Sequence, residues 1–162
     1  MACKKPVGKG LSLRLLCLFT AACDGDGSHE TETYFENRSG HKVRVQPYNG
    51  GGIYESKVRI LAVDEIQQVW GEKGRGPSIG SVYGELANDS IVVTFDDPLK
   101  VTHLGAMKGL LINTYPYEHP RNLLNRKNYT TTKLETSGKF VESEYRYIFT
   151  PEDYQDALRL NK

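Results

Sequence analysis

The sequence predicts a mainly β protein: a single antiparallel β-sandwich with one short C-terminal helix. Three observations predict it. Short runs of β-branched and aromatic residues recur along the chain and alternate with polar ones, at the period of a half-buried strand. Clusters of Gly, Asp, Asn and Pro separate those runs as turns do. Only the last dozen or so residues carry a helix-start signature, and short strands followed by one small helix favour a sandwich or barrel. A chain of 162 residues fits one domain.

The first segment reads as an address. Lys4, Lys5, Lys9 and Arg14, without an acid among them, surround and precede the apolar run 15–22. That run is far too short to cross a bilayer, which needs about 20 apolar residues. Basic start, apolar run and small residues come in the order of a secretory signal. Thr20-Ala21-Ala22-Cys23 resembles a bacterial lipobox, departing from it at Thr20, where leucine is commonest, and Arg14 shortens the apolar run. The resemblance implies cleavage before Cys23 and acylation of its thiol, and several acyl chains suffice for stable anchoring where one is marginal. Residues 1–22 are therefore expected to be a signal peptide, 23–32 a flexible acidic spacer and 33–162 the sandwich domain.

Charge and cysteine usage follow from that division. Removing the four basic residues of 1–22 from 21 leaves 17 against 20 acidic, a charge near −3. Nucleic acid wants a basic face, so it is not an expected partner. Of the three cysteines, Cys3 and Cys17 lie in the removed segment and Cys23 is the anchor, so no disulfide pair remains. The domain must stand on its core, which about 140 residues can supply. The acidic stretch 24–32 alternates Asp24, Asp26 and Ser28 like the start of an EF-hand loop. His29 and Phe35, however, occupy the positions of its turn glycine and closing glutamate, so no calcium site is expected.

The body then reads in order. A strand is expected over 33–37, a turn over 38–40, and a strand over 41–48 with Val43 and Val45 turned to the core. After a loop over 49–52, strands follow over 57–61 and 65–70. The Gly-rich stretch 71–77 reads as a mobile loop; it lacks the Gly-Lys-Ser/Thr ending of a phosphate loop. The strongest pattern is the hairpin of 90–95 and 100–104 around Asp96-Asp97-Pro98-Leu99. A short buried strand is expected over 110–112, a loop over 115–120, a turn over 122–129 leading into a strand to 134, and a strand over 139–149. Thr150 as N-cap, Pro151 at the first position and acids in the first turn start the terminal helix.

Candidate chemistry is sparse. Asp96 and Asp97 read as turn hydrogen-bonders, because neighbours in a strand point oppositely, and His103 as a residue of a polar strand face. A hydrolase would need His41, His103 or His119 brought to an Asp or Ser by the fold. Gly80-Ser81-Val82-Tyr83-Gly84 sets its serine one position early for a nucleophile elbow. No metal cluster or cofactor motif is read. Trp70, Tyr115 and Tyr117 lie in or beside predicted loops, where binding residues tend to lie, and such rings would suit a glycan.

Three blocks carry a family resemblance: residues 37–43 (Asn-Arg-Ser-Gly-His-Lys-Val), 90–97 (Ser-Ile-Val-Val-Thr-Phe-Asp-Asp) and 145–154 (Tyr-Arg-Tyr-Ile-Phe-Thr-Pro-Glu-Asp-Tyr). Together with the lipobox and acidic spacer they resemble small outer-membrane lipoproteins of the Bacteroides lineage. The resemblance implies an immunoglobulin-like β-domain on a lipid anchor, with no catalytic residues to carry over. The acidic run after Cys23 also resembles the surface-export signal of that lineage, and Asp89-Ser90-Ile91 its O-glycosylation acceptor, with Ser90 the acceptor. The expected function is a non-enzymatic binding or accessory module at the outer membrane, facing the cell surface. Its partner would be a glycan, a peptide or an outer-membrane protein. The alternatives are a structural subunit docking through a sheet edge and, further off, an envelope hydrolase.

Overall fold

Alternation in the sequence becomes two facing sheets. The computed structural model describes residues 27–75, 89–105, 113–137 and 140–162. Along the chain come β1 (Ser28–Asn37), β2 (Val43–Asn49), β3 (Gly52–Ile53), β4 (Arg59–Leu61), β5 (Ile66–Arg75), β6 (Ser90–Phe95), β7 (Leu99–Leu104), β8 (Thr114–Tyr115), β9 (Thr130–Ser137), β10 (Phe140–Phe149) and helix α1 (Pro151–Leu160). One sheet is ordered β5-β1-β10-β9; the other is β3-β2-β6-β7-β8, with β4 also paired to β2.

The core lies between them. Phe35, Tyr145, Tyr147 and Phe149 from the first sheet meet Val43, Val45, Ile91, Val93, Phe95 and Val101 from the second. Phe95 sits edge-on to Phe149 at 6.5 Å, and Phe35 to Phe149 at 5.7 Å, the geometry that ring quadrupoles favour. The polar positions of β1 and β10 face outward. In-register pairing there sets Glu30 beside Glu142 and Glu32 beside Glu144. Lys73 relieves the first pair through Glu30 at 2.5 Å, and Arg146 the second through Glu144 at 2.7 Å.

Local chemistry explains the joints. Asn37 is fully buried and its amide donates to the carbonyls of His41 (2.8 Å), Leu61 (3.3 Å) and Ala62 (2.8 Å), while its oxygen accepts from Ser39. One side chain thus fastens the 38–41 turn to the end of β4. Gly40 in that turn has φ 79°, a conformation glycine adopts without a steric penalty. The hairpin of β6 and β7 and the helix α1 form where expected; Pro151 opens α1, and the Thr150 N–H donates to Asp153 at 2.7 Å.

Three expectations are corrected. Strand β1 begins at Ser28, so residues 28–32, expected as spacer, are sheet, with His29 and Thr31 buried inward. Strand β5 runs on to Arg75 through the stretch expected as a loop. The reason lies partly in Gly74: a Cβ there would come within 2.7 Å of His29 Cε1, so glycine lets the two strands close over the imidazole. The sheets are mixed rather than antiparallel, since β1 runs parallel to β10 and β7 to β8. A parallel pair needs a long crossover, and for β1 and β10 most of the domain is that crossover. The strand expected over 110–112 lies outside the described residues, as do residues 1–26 with Cys23.

Candidate functional site

Between β8 and β9 the chain runs from Pro116 to Tyr129 with one 3₁₀ turn, at Arg126–Asn128, and yet it is braced from within. Asparagines do the bracing. The buried Asn122 amide donates to the carbonyls of Leu104 (3.0 Å), Tyr115 (2.9 Å) and Pro116 (2.9 Å), and its oxygen accepts the Leu124 N–H at 2.7 Å. Asn125 donates to the Tyr117 carbonyl at 3.1 Å and accepts the Lys127 N–H at 3.1 Å. Asn128 donates to the carbonyls of His119 (2.9 Å) and Asn122 (2.8 Å). Asn side chains stand in for backbone partners, so a segment without sheet or helix is held in one shape.

The sandwich holds this segment by buried contacts. His103 Nδ1 accepts the Leu123 N–H at 2.8 Å, which puts the neutral ring's proton on Nε2. Burial, and then the nearby His119 and Arg121 charges, push His103 down to about 3. The Tyr129 hydroxyl donates to the Leu123 carbonyl at 2.8 Å. Arg121 Nε donates to Asp153 at 2.6 Å and Nη2 to the Ile148 carbonyl at 2.7 Å; Nη2 also donates to Asp153. Its guanidinium lies 5.0 Å from the Tyr147 ring centroid.

Past this anchor the inner face of the sheet opens to solvent. Tyr145 of β10 is paired with Thr131 of β9, which is exposed. The asparagine-braced segment overlies that opening and forms a cleft of about 490 Å³. Tyr117, Tyr129, Tyr145, Asn125, Arg126 and Lys127 line it, with Thr131 at its margin. Arg126 and Lys127 are exposed, and the Arg126 guanidinium stacks 4.4 Å from the Tyr145 centroid. Three rings and two cations around a volume in the ordinary range for small-ligand sites make a surface suited to stacking and to negative charge.

Of the residues singled out from the sequence, Tyr117 is in this cleft. Tyr115 is not, and its expected role as a ligand contact is corrected. Its ring is buried and stacked on His119 at 3.9 Å, and its hydroxyl donates to Asp156 at 3.0 Å. Burial, followed by the Asp153 charge, pushes that hydroxyl up to about 12. Trp70 is half-buried within β5, opposite Thr33, at the far edge of the sheet from β9. Ser90 is half-buried at the start of β6, paired with Tyr48 and Leu104. His103 sits on a core face, against the expectation of a polar one.

The fold does join one histidine to a carboxylate. His41 Nδ1 lies 2.6 Å from Asp96 Oδ2, Asp96 Oδ1 accepts the Lys42 N–H at 2.8 Å, and the His41 ring stacks 3.5 Å from that of Tyr154. The His41 bond, then the Lys42 amide, hold Asp96 below its ordinary value. These contacts tie the start of β2, the β6–β7 turn and α1 together. Among the described residues, no group of three or more His, Cys, Asp or Glu side chains is placed to hold a metal. None of the described helices is long and apolar enough to cross a membrane.

Sequence reasoning missed Arg126, Lys127, Tyr129 and Tyr145. The one available signal was Asn122, Asn125 and Asn128 at a spacing of three, which marks a self-bonded segment rather than a passing turn. Fold and site together define a two-sheet β domain carrying a loop-built surface cleft. Comparison with protein-family models, with curated proteins and with solved structures gives no match.

Proposed function

We propose that this protein is a non-enzymatic binding module of the cell envelope, anchored through lipid on Cys23, with the cleft around Tyr117 as its binding surface. The cleft carries the binding reading: exposed cations and tyrosine rings are presented by a segment that its own asparagines pre-shape, so little ordering entropy is lost when a ligand docks. The His41–Asp96 pair is spent on joining β2, the β6–β7 turn and α1, which supports a role other than hydrolysis. The immunoglobulin-like subtype of sandwich belongs to the same proposal, supported by two facing sheets over a shared aromatic core.

The address rests on residues 4–23, and the outer membrane, at the cell surface, is where we place the module. The mass of the N-terminal peptide from membrane fractions tests it. An acylated Cys23 is expected; an intact Met1 or an unmodified cysteine overturns the anchor. For binding, the full chain purified in detergent is applied to an array of glycans and peptides. Tyr117→Ala is expected to abolish the signal while leaving the circular dichroism spectrum unchanged. Silence across the array, or signals that Tyr117→Ala leaves intact, overturns the assignment of the cleft.

A further inference from the structure

We propose that the cleft recognises an acidic saccharide, taking its carboxylate on the edge of Arg126 and a sugar face on Tyr117. The inference rests on the binding reading above and adds the class of ligand. The molecule contains its own template for the contact. At Arg121 the guanidinium lies over Tyr147, 5.0 Å from the centroid, and its Nε and Nη2 edge donates to the Asp153 carboxylate. Stacking uses the face of a guanidinium and leaves its N–H groups in the plane, where the planar fork matches a carboxylate. Arg126 repeats the first half of that arrangement on Tyr145, the next inward residue of the same strand, at 4.4 Å. Here the guanidinium borders a cleft instead of a helix, so the carboxylate would come from the ligand.

The surroundings fit a sugar better than other anions. The described lining holds Arg126 and Lys127 and no acid, so it attracts negative charge locally, while the outer face of the same sheet carries Glu30, Glu32, Glu142 and Glu144. That acidic face disfavours a long polyanion such as nucleic acid, which would have to run along the protein, but not a short oligosaccharide. Tyr117 is half-buried, so part of it meets solvent beside the cations. A tyrosine face carries negative potential that favours the polarised C–H groups of a pyranose. Asn125 lies between the ring and the cations to bond hydroxyls.

The test is calorimetric titration of the full chain in detergent with three acidic oligosaccharides: an oligogalacturonate, a sialyl-oligosaccharide and a hyaluronan fragment. Each is paired with its neutral methyl ester. At least one acid is expected to bind, to weaken as salt rises, and to bind roughly 10- to 100-fold more tightly than its ester. Arg126→Gln is expected to remove most of that preference, and Lys127→Gln a smaller part. If acid and ester bind alike, or only neutral glycans bind through Tyr117, the carboxylate inference falls and the binding cleft survives. If acidic peptides bind in an Arg126-dependent way and all three saccharides fail, the saccharide class falls. If nothing binds the folded chain on titration or on the array, both proposals fall together.

Discussion

Tyr145 and Tyr147 are successive inward residues of β10, and each carries an arginine over its ring. Arg121 over Tyr147 is sealed. Asp153 of α1 takes its edge, the Ile148 carbonyl takes another N–H, and the Tyr147 hydroxyl donates back to the Arg121 carbonyl at 2.8 Å. Arg126 over Tyr145 is exposed and faces a cleft. The same pair of residue types thus serves as a structural rivet at one register position and as a surface feature at the next. What differs is whether a folded element arrives to cover the edge. Helix α1 covers the first; the sheet runs out at β9 before anything covers the second.

The comparison can be broken at either arginine. The largest effect is expected from Arg121→Ala, which leaves the buried Asp153 carboxylate without its partner; such breaks cost about 3–5 kcal/mol. A fall of that size in urea unfolding, with loss of the α1 signal, is expected, and near-neutrality would show that the rivet is decorative. Next comes acid. His103 is neutral in the fold, held near 3 chiefly by burial, and titrates near 6.5 when unfolded. The unfolded state therefore takes up a proton that the folded state refuses. Stability should be full above pH 6.5 and fall as pH drops toward 3, by up to about 1.4 kcal/mol per unit. Unfolding midpoints at pH 7, 5 and 4 measure this, and His103→Gln, whose amide can still accept the Leu123 N–H, should flatten the slope.

Smaller effects sharpen the comparison. Asn122→Ala removes donors from the Leu104, Tyr115 and Pro116 carbonyls between the two arginines and should cost about 1–3 kcal/mol. It should also weaken ligand binding, because the segment bearing Arg126 loses its brace; stability lost with binding intact would separate the brace from the site. Least of all, Arg126→Gln should change thermal stability by about 0.5 kcal/mol or less, as exposed substitutions do. A large loss there would make Arg126 a second rivet and remove the distinction.

Much of the fold was legible where the signal is local. The β6–β7 hairpin, the Thr150-Pro151 helix start and the alternation of β10 each follow from a few neighbouring residues. Gly71 and Gly74 misled because glycine in isolation signals a loop, whereas here Gly74 answers His29 on a neighbouring strand. Ser28 to Glu32 misled for a related reason: acids on one face of a strand look like a solvated spacer until the buried His29 and Thr31 are seen between them. Of the cleft, Tyr117 alone was anticipated. Tyr145 sits in an alternating strand and reads as core, and nothing in its neighbourhood tells that its edge of the sheet is left open.

By itself, the sequence determined the strand-rich class, the terminal helix and its cap, and the candidate address at Cys23, since turn chemistry, capping and binary alternation act over a few residues. The tertiary structure decided the rest: the parallel marriage of the first and last strands, the conversion of Tyr115 and His103 into packing, and the contrast between Arg121 and Arg126. Those depend on which element ends up beside which, and contacts between distant parts of the chain leave no mark in local composition.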